Sequence, residues 1–168
     1  MRRKLVAGNW KMNGSIAALA ELDAIAAAAG AAPGVDVAVA VPFTLIHPAA
    51  ARVPGLAIGA EDVHEADAGA HTGCVSAAMV IEAGARFTLA GHSERRADQG
   101  ETSHDAWAKA AAAHRQGLQV ACLEEIAYLQ GFIGKDQLVA RGKLFAKTAY
   151  GQNLLKLAQE DPKTLLTR

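Results

Sequence analysis

The chain has 168 residues, enough to bury the core of one domain, and its 17 basic side chains balance 17 acidic ones. That balance argues against electrostatic capture of nucleic acid or of an anionic membrane. The basic Arg2-Arg3-Lys4 leads into an apolar run broken at Asn9, too short for a secretory leader, and the Ala-rich run over 24–32 is too short to span a bilayer. Cys74 and Cys122 lie far apart and outside any Cys-x-x-Cys pattern. They read as free thiols of a reducing compartment, so a cytoplasmic protein is expected.

In chain order, residues 4–8 predict a first strand, followed by Ser15 as a helix cap. Residues 16–29 are dominated by Ala and Leu and predict a helix stopping at Gly30, with Pro33-Gly34 behind it. Residues 35–41 alternate Val and Ala after Asp36 and predict a second strand ending at Pro42. A short helix over 44–52 and a third strand over 56–60 come next. A polar loop over 61–72 leads to a helix over 76–83 and a fourth strand over 85–90. Residues 102–115 predict a helix capped by Thr102 or Ser103 and stopped by Gly117, and residues 118–122 a fifth strand. Strands alternating with helices at this spacing imply a parallel sheet with right-handed crossovers. Beyond Cys122 the pattern is helical only: 124–130, 135–147 and 150–160, punctuated by Gly131, Gly134 and Gly151.

Two of these strands end in polar residues. The first runs into Asn9-Trp10-Lys11-Met12-Asn13, and a period of two would turn Asn9 and Lys11 the same way. The fourth runs into Gly91-His92-Ser93-Glu94-Arg95-Arg96. In α/β folds the C-terminal lip of the strands is where ligands bind. On the residues alone, a structural histidine is the ordinary reading of His92. Asp62, His64, Glu65, Asp67 and His71 match no metal-ligand spacing and read as a solvated loop, and no metal or cofactor is expected. His104 and His114 read as helix-surface residues.

The segments Ala7-Gly8-Asn9-Trp10-Lys11-Met12-Asn13 and Gly91-His92-Ser93-Glu94-Arg95-Arg96, with Gly69-Ala70-His71-Thr72-Gly73 between them, resemble the N-terminal signatures of the triosephosphate isomerase family. The resemblance covers residues 1–117. It implies interconversion of dihydroxyacetone phosphate and glyceraldehyde 3-phosphate in glycolysis and gluconeogenesis, with no cofactor. By that resemblance His92 is the electrophile, in its neutral form at the N-terminus of a following helix. Lys11 supplies positive charge to the phosphate and the enediolate, Asn9 donates to a substrate oxygen, and Glu94 bonds the lysine ammonium. Thr72 and Gly73 belong to a loop that in the family reaches a neighbouring subunit. Cys74 stands where the family usually has an acidic residue, and Glu61-Asp62 where Gln-Asn or Gln-Asp is common.

A complete eight-stranded β/α barrel takes about 250 residues, and about 200 near the lower end. The expected fold is therefore α/β, a partial barrel of four to five parallel strands with helices, followed by a helical tail. The sixth-strand Tyr-Glu-Pro-Val-Trp type motif that carries the family's glutamate base has no counterpart in these residues, nor have its glycine-rich phosphate loops. Glu124 and Glu125 follow the fifth strand, but two acidic residues in a helix's first turn is the ordinary reading of them. Residues 118–168, with Ala121-Cys122-Leu123-Glu124-Glu125-Ile126-Ala127-Tyr128 and Tyr150-Gly151-Gln152-Asn153-Leu154-Leu155, resemble the C-terminal tail of glucose-1-phosphate thymidylyltransferases. A chimera joined near Gln116-Gly117-Leu118 is thus expected. An open parallel sheet has bare edges, so a homo-oligomer is expected too.

Overall fold

The computed structural model describes residues 4–159 except positions 123, 130, 132, 145 and 148. Gln130 and Glu160, the predicted ends of two tail helices, lie outside the described residues, as do the side chains of Cys122 and Glu125. The chain divides into two compact units, Met1–Leu89 with Ala112–Ala121, and Ala90–Ala111 with Cys122–Arg168.

The first unit holds the sheet. Strands β1 (Lys4–Asn9), β2 (Val35–Val41), β3 (Ala57–Ala60), β4 (Phe87–Ala90) and β5 (Gln119–Cys122) lie side by side in chain order, and all five run parallel. This is the partial barrel that the alternating pattern predicts. Helices α1 (Glu21–Ala31), α2 (Phe43–Arg52) and α3 (Ala77–Glu82) connect the strands. The first predicted helix begins differently. Ser15 Oγ accepts from the Ala18 N–H at 3.3 Å, capping a 3-10 turn over Ala17–Ala20, and the α-helix proper starts only at Glu21 and runs past Gly30. Ser76 does cap α3, accepting from the Met79 N–H.

One face of the sheet is covered. Val39, Val41, Ile58 and Ala60 pack against Leu22 of α1, Leu45, Ile46 and Ala49 of α2, and Ala77 and Val80 of α3. An exposed Arg52–Asp23 fork, at 2.8 and 2.7 Å, ties α2 to α1. The other face is built from small residues, Ala38, Ala40, Ala57 and Ala121, around Phe87 and Leu89. Gly59 sits inside β3 because the Phe87 ring lies where its Cβ would be.

In the second unit, helix α4 (Ser93–Gln99) follows β4 directly and ends at Gly100 in the left-handed conformation. Element-by-element propensity does not find α4, whose residues are almost all polar. Helix α5 (Ser103–Arg115), whose residues from Ala112 on belong to the first unit, starts with Thr102 and Asp105 in reciprocal capping contact: Asp105 accepts from the Thr102 N–H at 2.8 Å, and Thr102 Oγ1 accepts from the Asp105 N–H at 3.1 Å. The tail forms α6 (Glu124–Leu129), α7 (Lys135–Leu144) and α8 (Ala149–Leu157), around a small core of Leu138, Leu154 and Ala158. Gly142 of α7 lets Leu155 of α8 approach closely, since a Cβ there would lie 2.8 Å from the leucine.

Replacing Gly59 by alanine tests the inner face. The new methyl collides with a buried ring that has no free end to yield, so Gly59→Ala should cost about 1–3 kcal/mol of stability in chemical denaturation. Adding Phe87→Leu to that variant should recover part of the loss.

Candidate functional site

The chemistry-bearing residues of the first unit cluster where β1 ends. Trp10 N–H still donates to Ala40 O at 3.0 Å, the last bond of the β1–β2 ladder. Asn9 Oδ1 then accepts the Lys11 N–H at 2.8 Å, which turns the chain sharply. Lys11 takes φ +55°, the left-handed region, and is the one non-glycine residue with positive φ among those described. Such a conformation costs about 1–3 kcal/mol and persists only when its surroundings impose it. Here Asn13 does so from the other side, its N–H donating to Lys11 O at 2.8 Å and its Nδ2 to Trp10 O at 2.9 Å. The expectation that strand alternation aligns Asn9 and Lys11 is thus corrected. The strand stops at Asn9, and an amide-stapled turn, not period two, aims the lysine. Both residues remain accessible to solvent.

The second unit holds the segment just after β4. His92 is the N-cap of α4, and its Nδ1 accepts the Glu94 N–H at 3.3 Å. With Nδ1 used as acceptor, a neutral imidazole carries its proton on Nε2, where it can donate. Glu94 Oε2 lies 3.7 Å from the same Nδ1. Gly91, the residue before His92, is clamped at both of its backbone polar groups. Gly91 N–H donates to Glu101 Oε1 at 3.1 Å, and Arg96 Nε donates to Gly91 O at 3.1 Å. Gly91 itself has φ +72°, so no other residue turns there without strain.

Glu101 is the residue that sequence reasoning missed. Its side chain is only 4 % exposed, and its second oxygen takes Arg95 Nε at 2.8 Å and Lys109 Nζ at 2.7 Å. Burial by itself would raise the pKa of this carboxyl. Hydrogen bonds from Lys109 and Arg95, together with their charges, outweigh burial and hold it below the usual glutamate range. Its partners stand six residues before and eight after, spacings that neither helix nor strand periodicity flags. The available signal was a lone acid between a helix-ending Gly100 and a helix-capping Thr102, with cations on both flanking helices.

Asn9 and Lys11 belong to the first unit, and His92 and Glu94 to the second. The loop over 61–76 closes on itself through His64 N–H to Val75 O at 2.8 Å, with the His64 and His71 rings 4.1 Å apart. Thr72 and Gly73 are exposed in it, and Cys74 is an exposed free thiol. Among the described residues, no three His, Cys, Asp or Glu side chains converge as metal ligands. Glu124 stands in the first turn of α6 and meets Arg141 Nε at 2.6 Å, the structural role its position predicts. A cleft of about 1020 Å³ opens in the first unit near the other ends of the strands, at Val35, Ala57, Arg86 and Gln119. It lies away from Asn9, and polar and apolar groups share its lining. No described helix is long and apolar enough to cross a membrane.

Removing the Glu101 charge should destabilise the chain, because it leaves two cations without their shared acceptor. Breaking a buried ion pair costs about 3–5 kcal/mol, and the partial exposure of Arg95 puts Glu101→Gln near the lower end. The folded carboxyl has the depressed pKa, so its contribution is present above the unfolded value of about 4.3 and is lost as pH falls through the folded one. Denaturation midpoints measured between about pH 6 and pH 2 should therefore fall more steeply for the parent than for Glu101→Gln.

A sequence model of the triosephosphate isomerase family matches residues 4–140. The chain is 53% identical over 128 residues to a triosephosphate isomerase of Dinoroseobacter shibae, a match covering 74% of this chain and 51% of that protein. It is 49% identical over 127 residues to that of Caulobacter vibrioides, covering 73% and 50%. The crystal structure of triosephosphate isomerase from Bartonella henselae superposes with a TM-score of 0.68 at 40% identity, covering 72% of this chain and 51% of that one. The chain thus spans about half the length of the relatives it matches. A family match over most of its length and five parallel strands in barrel order agree: the chain belongs to the triosephosphate isomerase family.

Proposed function

We propose that this chain carries the electrophile-and-cation half of a triose-phosphate isomerisation centre, acting between dihydroxyacetone phosphate and glyceraldehyde 3-phosphate in glycolysis. The observation that supports it best is the His92 segment. Its imidazole caps a helix through Nδ1, and its leading peptide is clamped by Glu101 and Arg96, which leaves Nε2–H as the fixed donor. A donor held this way polarises a carbonyl without reorganising during the reaction. Lys11 offsets charge on the substrate phosphate and the developing enediolate, and Asn9 donates to a substrate oxygen. Enediol chemistry also needs a carboxylate to move the carbon-bound proton. These 168 residues hold no counterpart of the family's base motif, and Glu124 is engaged with Arg141. Turnover by the chain alone is accordingly impaired, and the site binds triose phosphate more readily than it converts it.

The remaining parts of this reading concern assembly. The helices from Glu124 onward surround their own core of Leu138, Leu154 and Ala158, which supports a packing role for the tail; its thymidylyltransferase type and a junction near Gly117 rest on the sequence resemblance alone, and the triosephosphate isomerase match runs on to residue 140. Thr72 and Gly73, exposed in their loop, are the residues that would meet a second subunit, and the working unit is a homo-oligomer in the cytoplasm.

A coupled assay on glyceraldehyde 3-phosphate tests the chemistry, with Lys11→Ala and His92→Gln alongside the parent. Weak turnover abolished by both substitutions is expected, together with thermal stabilisation of the parent by a non-reactive triose-phosphate mimic. Turnover indifferent to both substitutions, or no stabilisation by the mimic, would overturn the assignment.

A further inference from the structure

Helix α4 leaves β4 through Gly91 and is brought back to it by Glu101. At its start His92 caps the helix with φ −59° and ψ 137°, and its carbonyl accepts the Arg96 N–H at 3.2 Å. At its end the N–H groups of Gly100 and Glu101 both donate to Arg95 O, the second at 3.3 Å. The Glu101 side chain then reaches back ten residues to Gly91. The segment from Gly91 to Glu101 is thus a ring closed by one carboxylate, with His92 beside the closure. That carboxylate divides its work. Oε1 accepts the Gly91 N–H at 3.1 Å, while Oε2 takes Arg95 Nε at 2.8 Å and Lys109 Nζ at 2.7 Å. The carboxylate is planar, so two cations that fix Oε2 also aim Oε1. The side chain is 4% exposed, and little water competes for either oxygen.

We infer that Glu101 is a positioning residue for His92 and sets, through Gly91, which imidazole nitrogen carries the proton. This rests on the triose-phosphate reading above, in which His92 donates from Nε2. It goes beyond that reading by tracing the choice of nitrogen to a carboxylate past the end of α4. The bond to the Gly91 N–H holds a turn at φ +72°, one of several conformations open to a glycine. The turn sets the direction in which His92 leaves β4, and from there Nδ1 meets the Glu94 N–H at 3.3 Å. A nitrogen that accepts carries no proton, so the neutral ring keeps its proton on Nε2. With Gly91 released, Nδ1 loses its donor and both tautomers become available. Arg96, which grips Gly91 O at 3.1 Å, does not substitute for this bond. It belongs to α4 and moves with it, whereas Glu101 is anchored to α5 through Lys109.

Long-range proton–nitrogen NMR spectra of the histidine rings at about pH 8 read the tautomer, with His92→Gln assigning the signal. The parent should show His92 protonated on Nε2 alone. Lys109→Met removes one cation but leaves Arg95 on Oε2 and Gly91 on Oε1, so it should lower stability and keep that signal. Glu101→Gln should change both. An amide has one acceptor oxygen: turned to the cations, it sets its NH2 against the Gly91 N–H, and turned to Gly91, it sets NH2 against two cations. The His92 Nδ1 resonance should then move toward that of an exposed histidine such as His47. Exchange of the Glu94 amide should quicken about tenfold or more relative to Lys109→Met. Should Glu101→Gln fail to fold, Glu101→Met with Lys109→Met takes its place, since an apolar pair of similar volume is tolerated where a stranded charge is not. It too offers Gly91 no acceptor, and the same two changes are expected. Mixed tautomers in the parent, or a parent-like His92 ring in chains without the carboxylate, would overturn the inference. So would a Lys109→Met chain whose His92 ring is disturbed as much as in Glu101→Gln, because the ring would then follow stability and not the bond to Gly91. Neither readout uses triose phosphate, so failure here is distinct from failure of the mimic to bind.

Discussion

Everything in the first unit follows from a strand order that repeats the chain order. Five parallel strands laid down as 1-2-3-4-5 with right-handed crossovers put the connecting helices on one face only. The sequence answers with large branched residues toward the helices, Val39, Val41 and Ile58, and with alanine and glycine on the other side. The same order sends the C-termini of the strands to one lip, and Asn9 closes β1 there.

The two polar segments solve the same problem by different means. Each must aim a side chain from a backbone that has just left a strand. After β1 the aim is set by side-chain amides, with Asn9 and Asn13 holding Lys11 in a conformation that lysine does not choose. After β4 it is set by charge. Glu101 and Arg96 grip the N–H and the carbonyl of Gly91, and the acid is itself held between Arg95 and Lys109. Amide staples suit the exposed position of Lys11. A buried ion triad suits the half-buried position of His92, where charge-assisted bonds are stronger.

The legible part of the sequence was whatever depends on periodicity. Val35–Val41 reads as a strand from its alternation, and Thr102 announces a helix start by its chemistry. The strand-to-strand order follows from helix-strand alternation. Lys11 misled because alternation was carried past the strand's last residue, and nothing in a residue's identity states that Asn9 will accept from the backbone two positions on. Helix α4 was hidden because Ser93-Glu94-Arg95-Arg96-Ala97-Asp98-Gln99 offers no apolar stripe to read. Its existence rests on the His92 cap and the Gly100 stop. Glu101 was hidden because its three partners are assembled by a turn, not by a repeat.

The locality of the His92 geometry bears on what half a family length can retain. The hydrogen bonds that cap the imidazole and grip Gly91 lie between Gly91 and Lys109, within one compact unit. The turn that aims Lys11 is likewise closed by Asn9, Trp10 and Asn13. Neither arrangement draws on the half of the relatives that this chain does not span. The geometries of His92 and Lys11 are therefore local properties, encoded in short segments with their own clamps.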